Sequence, residues 1–144
     1  MNRIVHKLSF LLVLLIMAPS VVSAQEEDLG EWIARTGAHK IGGYVTIGLA
    51  VTAAGMGLLG LEIHPYLGYA TAGFAAGAAI AGTIAYKDML SVVWPHAVLN
   101  ALAVTGFALN AFVFEGGSPA HIATGISSVG LLGASYVAIR LIMR

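Results

Sequence analysis

The sequence predicts an all-α membrane protein: a four-helix transmembrane up-down bundle, built from a duplicated two-helix unit and preceded by an N-terminal signal peptide. Three observations carry this expectation. Of the 144 residues, 58% are hydrophobic and 10% charged, too few charges to cover the surface of a soluble domain of this size. Beyond the leader, four apolar stretches approach the ~20 residues that cross a hydrocarbon core of roughly 30 Å. Finally, His39, His64, His96 and His121 stand 25, 32 and 25 residues apart, so His39 to His96 and His64 to His121 both span 57.

The elements follow in order. Residues 1–24 read as an export signal: Arg3 and Lys7 at the positive start, an apolar core from Leu8 to Met17, and the small-residue cleavage site Val22-Ser23-Ala24. An uncleaved anchor helix is the alternative, against which stand the short apolar core and Pro19. Residues 25–38 are polar and acidic, with Trp32 and Arg35 nearer the membrane, and a short interfacial helix is expected over residues 29–36. The transmembrane domain then covers residues 39–144. Its first helix is expected from His39 to Gly60 and its second from His64 to Tyr86, where Lys87-Asp88 ends the apolar run. Residues 89–94 read as a connection along the membrane surface. The third helix is expected from Pro95-His96 to Phe114, before the turn Glu115-Gly116-Gly117-Ser118-Pro119. The fourth runs from Ala120 or His121 to Ile142.

The histidines head a repeated pattern. His39 is followed by Gly43 and Gly48, His64 by Gly68 and Gly73, and His121 by Gly125 and Gly130; His96 has Asn100 and Thr105 in those places. The glycine four residues on lies on nearly the same helix face one turn along, where a flat macrocycle on the imidazole would need a bare surface. The glycine nine residues on faces the other way and is expected to pack, as are the small-x3-small pairs Gly68/Ala72 and Gly73/Gly77, which let helices approach closely in lipid. Short connections make successive helices antiparallel neighbours. A two-helix repeat related by a pseudo-two-fold along the membrane normal then sets helix 1 diagonal to helix 3 and helix 2 diagonal to helix 4. On that arrangement His39 meets His96 on one side of the membrane and His64 meets His121 on the other.

Ionisable residues inside a membrane are costly and mark function. One histidine at a helix start would simply meet headgroup water; four in two matched pairs point to haem held between imidazoles in the bundle core. Zinc or copper suits the pattern less, since neither pair has a nearby Cys, Asp or other carboxylate. The chain has no cysteine, which excludes disulfides, iron–sulfur ligation and the C-x-x-C-H attachment of c-type haem, so any haem is non-covalent. Net charge is zero, so nucleic acid is not an implied partner. Arg35, Lys40 and Lys87 fall on the His39/His96 side, where they would neutralise haem propionates or, for Lys87, anchor a helix end. The other side has Glu62 and Glu115 but no Lys or Arg, so its haem is expected to have the lower potential.

Over residues 39–142 this pattern resembles the transmembrane dihaem cytochromes of the cytochrome b561 type. The resemblance implies two b haems, ligated by His39 with His96 and by His64 with His121, with Gly43, Gly68 and Gly125 beside them, and electron transfer across the membrane. The flanking helices usual in that family are missing, the histidine spacings are short, and there is no motif for an ascorbate site. A quinol or cytoplasmic-side donor and a periplasmic cytochrome or other respiratory-complex subunit are the expected partners, with membrane lipid around the bundle. The role expected is electron transfer rather than stand-alone catalysis. Two other readings are a structural or assembly subunit packing through small-residue helices, and a transporter with a histidine proton relay; the latter lacks an intramembrane Asp or Glu. A cleaved leader places the chain in a bacterial-type inner membrane with its mature N-terminus in the periplasm. That sets Arg35, Lys40, Lys87, Arg140 and Arg144 outside, against the positive-inside rule.

Overall fold

In a computed structural model, residues 28–143 form five α-helices and one short 3-10 turn, with no strand among the described residues. The leader expected over residues 1–24 lies outside the described residues. Helix α1, Leu29–Thr36, is the short helix expected before the bundle. The Asp28 carboxylate caps it by accepting from the Gly30 N–H at 2.7 Å. Gly37, with φ 68°, ends it in the left-handed region and passes directly into α2, Ala38–Leu58. The α2 terminus is a Schellman motif: Gly60, at φ 66°, donates to the Gly57 carbonyl and Leu61 to that of Met56. Helix α3 is His64–Ala85, with Pro65 at its second position, where the missing N–H costs nothing. Helix α5 is Pro119–Ile142, capped by the Ser118 hydroxyl, which accepts from the His121 N–H at 3.2 Å.

Helix α4, Leu90–Phe112, departs from expectation. Of the stretch expected as a surface connection, residues 89–94, Met89 ends the 3-10 turn Lys87–Met89 and the rest is the first turn and a half of α4. Pro95 therefore sits inside a helix. It deprives Ser91 of one i−4 bond, but near the helix start only one bond is lost, and the early turns bury Val93. His96 consequently lies in the second turn of α4 and not at its head.

Four helices, with the 3-10 turn counted into α4, are long and apolar enough to cross a membrane. They pack as a ring, α2 on α3, α3 on α4, α4 on α5, with α5 closing on α2. The start of α2 lies against the end of α3, as the His39–Ala78 contact shows, so the run is up and down. The interior is made of small residues, with Ala50, Ala53, Ala72, Ala75, Ala78 and Ala103 buried beside Phe107 and Leu132, while Ile41, Val51, Leu58, Ile126 and Leu141 point outward. Large apolar side chains outside and small ones inside is the pattern of a bundle solvated by lipid, where close backbone approach replaces water exclusion. The largest fully buried side chains are the hydroxyls of Thr46, Thr71, Ser128 and Ser135. Three of them donate to the carbonyl four residues back, in Gly42, Leu67 and Thr124, and Ser135 donates to the His96 carbonyl, so none of the four is orphaned.

Close approach occurs at glycines outside the small-x3-small pairs. A Cβ on Gly42 would meet the Ala78 Cβ at 3.1 Å, and one on Gly106 would overlap the Ser128 hydroxyl. Gly68 has nothing within 4 Å, and neither do Gly48 and Gly130, expected to pack from nine residues beyond their histidines. Gly68 faces open space because the buried stripe of α3 runs along Thr71, Ala72, Ala75 and Ala78.

Candidate functional site

The ring arrangement sets α2 opposite α4 and α3 opposite α5, and the histidines meet across the centre in the expected pairs. The His39 and His96 rings are 5.8 Å apart between centroids, and those of His64 and His121 are 5.6 Å apart. Both pairs are near-perpendicular, at 87° and 72°, and all four side chains are half-buried. Ala53, which His64 contacts, is 14 residues beyond His39 on α2, so the two layers lie about 20 Å apart along the helix axis.

Hydrogen bonds place the proton on Nδ1 in His39, His64 and His96, because a carbonyl only accepts. His39 Nδ1–H donates to the Ala78 carbonyl at 2.7 Å. His96 Nδ1 lies 3.0 Å from the Ser135 carbonyl and 2.7 Å from Ser135 Oγ, and that hydroxyl in turn donates to the His96 carbonyl at 3.1 Å. The Asn100 amide donates to His96 Nε2 at 3.2 Å. Both rings of this layer thus carry the proton on Nδ1 and keep Nε2 as an acceptor, the form an imidazole needs as a metal ligand, with the Asn100 amide lying on that of His96.

The second layer is half of this. His64 Nδ1–H donates to the Ala53 carbonyl at 2.7 Å, which leaves its Nε2 as an acceptor, and His121 Nε2 lies 3.3 Å from it. For that contact to be a hydrogen bond, His121 carries its proton on Nε2. His121 Nδ1 is buried without a hydrogen-bond partner, and so is Asn110 Oδ1 on the same cavity wall.

Two cavities flank the pairs. The one at His39/His96 has a volume of about 370 Å³, within the roughly 300–1,000 Å³ usual for a ligand site. It is lined by Gly43, Val104, Leu132 and Ser135, with Lys40 and Arg140 also among its walls. The one at His64/His121 is about 210 Å³ and is lined by Gly68, Phe107, Asn110, Phe114 and Gly125, with no Lys or Arg. A Cβ on Gly43 or Gly68 would meet nothing within 4 Å, so the helix surface one turn beyond His39 and His64 is bare. The surface beyond His121 is not: the Asn110 amide would be 2.6 Å from a Cβ on Gly125. Beyond His96 stands Asn100 itself.

Several residues that shape the site are not evident from the histidine pattern. A Cβ on Gly82 would lie 2.6 Å from the His39 ring, and one on Gly57 2.8 Å from that of His64. Two imidazoles therefore rest directly on neighbouring helix backbone. The positions 57 further on are Ile139 and Phe114, so no repeat points to these glycines. Ser135 is readable in hindsight, since it follows His96 by 39 residues as Ala78 follows His39. Arg140 donates to the Tyr136 hydroxyl from Nε and Nη2, at 3.1 and 2.9 Å, and its guanidinium lies over that ring. Lys87, expected as a helix-end anchor, reaches Asp28 at 3.8 Å with both side chains exposed. Among the described residues no group of three or more His, Cys, Asp or Glu converges, so each layer offers two nitrogen donors. No protein-family model, curated protein or solved structure matches the chain.

Proposed function

We propose that the chain is a membrane-embedded b-type cytochrome that holds two non-covalent haems, one between His39 and His96 and one between His64 and His121. It passes electrons across the membrane between a quinol or cytoplasmic-side donor and a periplasmic redox partner, as a subunit of a respiratory complex. The observation that carries this reading is the facing of two imidazole pairs in the bundle core, three of whose four rings are held by an Nδ1–H bond to a carbonyl of a neighbouring helix. The 39-residue offset shared by His39–Ala78 and His96–Ser135 supports a duplicated two-helix unit of 57 residues. An N-terminal leader, an inner-membrane location and a periplasmic mature N-terminus belong to the same proposal.

The residues fit the group in the first layer: two unprotonated Nε2 atoms, one of which the Asn100 amide would have to release, a cavity of ligand size, an open face at Gly43, and Lys40 and Arg140 for the propionates. The second layer offers the donor pair and the open face at Gly68 in less room. Haem supplies a one-electron iron centre, and two histidines on each iron favour electron transfer over oxygenation. The chain's part is to hold ring orientation through the Nδ1 bonds, to keep water out with Ala, Leu and Phe side chains, and to set local charge. With Lys40 and Arg140 at one layer only, that layer is expected to have the higher potential, as two resolved midpoints in a redox titration would show.

A second reading, a small-residue structural subunit, is favoured by one observation: His64 and His121 satisfy each other directly through Nε2. Reduced-minus-oxidised spectra and a pyridine haemochrome assay on protein purified in mild detergent separate the two. The expected result is two b haems per chain, falling to one when His96 is replaced by Ala. Colourless protein that takes up no added haem would establish the structural reading instead.

A further inference from the structure

We infer that the chain carries a binding site for an anionic phospholipid at the seam between α2 and α5, where Lys40, Tyr44, Tyr136 and Arg140 come together. The inference goes beyond the haem reading and does not rest on it. Each of the two helices carries a cation and a tyrosine four residues apart, Lys40 with Tyr44 on α2 and Arg140 with Tyr136 on α5, and residues so spaced share a helix face. The tyrosine rings meet across the seam, 6.3 Å apart between centroids. All four side chains are exposed. Lys40 stands in the first turn of α2 and Arg140 in the last turn of α5, so both charges lie at one end of the membrane crossing. The tyrosines lie one turn deeper, at the level that aromatic residues occupy at a membrane interface. Among the described residues neither cation has a carboxylate within salt-bridge distance; the ion pair on this side joins Lys87 to Asp28.

The donors suit a phosphate. The Tyr136 hydroxyl accepts from Arg140 Nε and Nη2, which holds the guanidinium beside the tyrosine pair and uses two of its five N–H donors. Three donors remain on Arg140, and the Lys40 ammonium has three more. That is enough for a phosphate on the lipid side and for a propionate reaching the same two residues from the His39/His96 cavity, which both of them line. The surroundings are apolar: Ile41, Val137 and Leu141, each next in sequence to a member of the cluster, are exposed. An occupant here meets cations and hydrocarbon together. A phospholipid of net negative charge satisfies both, whereas a soluble inorganic anion satisfies only the first, and basic residues at the end of a membrane helix attract anionic headgroups. The other end of the bundle has no counterpart, since its connections carry Glu62 and Glu115 and no Lys or Arg. Selectivity for a negative headgroup therefore belongs to one side of the membrane alone.

The test is native mass spectrometry of the full chain in mild detergent, titrated with phosphatidylglycerol or with phosphatidylcholine of the same acyl chains. One phosphatidylglycerol per chain is expected, held about tenfold more tightly than phosphatidylcholine. Lys40→Gln/Arg140→Gln is expected to bring the two lipids level, while Lys87→Gln, on the same side but paired with Asp28, keeps the wild-type preference. Equal binding of the two lipids by the wild type overturns the inference without recourse to any variant. An undiminished preference in Lys40→Gln/Arg140→Gln overturns it as well, and so does an equal loss in Lys87→Gln, which would mean diffuse surface charge and no site. Phosphatidylglycerol bound by His39→Ala/His96→Ala but refused by haem-loaded wild type would assign both cations to the propionates and overturn it too. Protein that loads no haem yet prefers phosphatidylglycerol sinks the haem reading and upholds this one.

Discussion

At His96 one hydroxyl joins two helices. Ser135 Oγ donates to the His96 carbonyl and accepts from His96 Nδ1, so the ring and the helix carrying it are fastened to α5 at a single point. Replacing Ser135 by Ala removes the hydroxyl and leaves the Ser135 carbonyl as the only acceptor. We expect about 1 kcal/mol lower stability in thermal unfolding and, on the dihaem proposal, about tenfold weaker haem retention in that layer alone. Gly82 is under a harder constraint, since any Cβ there would lie 2.6 Å from the His39 ring. Gly82→Ala is expected to cost about 1–3 kcal/mol through overpacking and to lower haem content towards one per chain, read by pyridine haemochrome. An equal loss of both haems would mean that the strain spreads through the bundle and is not local to His39.

At the scale of the helix, α4 shows how local rules yield to burial. Pro95 marks a helix start by its missing N–H, yet the chain coils five residues earlier because those turns bury Val93 and continue the apolar run from the Lys87–Met89 turn. Pro95→Ala restores an i−4 bond to Ser91. It should therefore raise the melting temperature without altering the haem spectrum, the full cost of an interior proline being about 3 kcal/mol. Loss of one haem in that variant would instead mean that the proline aims His96. Several other helix ends fell within two residues of expectation and have a local cause: Asp28, the αL residues Gly37 and Gly60, and Ser118 before Pro119.

For the whole molecule, the up-down ring makes a prediction independent of any cofactor. Glu62 lies between α2 and α3 and Glu115 between α4 and α5, while Asp88 lies between α3 and α4. The chain has no native cysteine, so single-cysteine variants report cleanly. In right-side-out vesicles, Glu62→Cys and Glu115→Cys are expected to react with a membrane-impermeant thiol reagent from one side, and Asp88→Cys from the other. Labelling of all three from the same side would rule out four crossings. With the mature N-terminus outside, Asp88→Cys is the variant labelled externally.

Helix number, approximate bounds and the pairing of the histidines were legible in the chain. Apolar length and local stop signals are properties of contiguous residues, and equal 57-residue spacings carry equivalent side chains to equal depth. The asymmetry between the layers was not legible. It depends on which carbonyl of a neighbouring helix each Nδ1 reaches, on Gly57 and Gly82 having no Cβ to push a ring away, and on the Asn110 amide filling the space over Gly125. Each is a contact between residues distant in sequence, set by helix rotation to within an ångström, and spacing along one strand of residues carries no information about the rotation of the helix beside it.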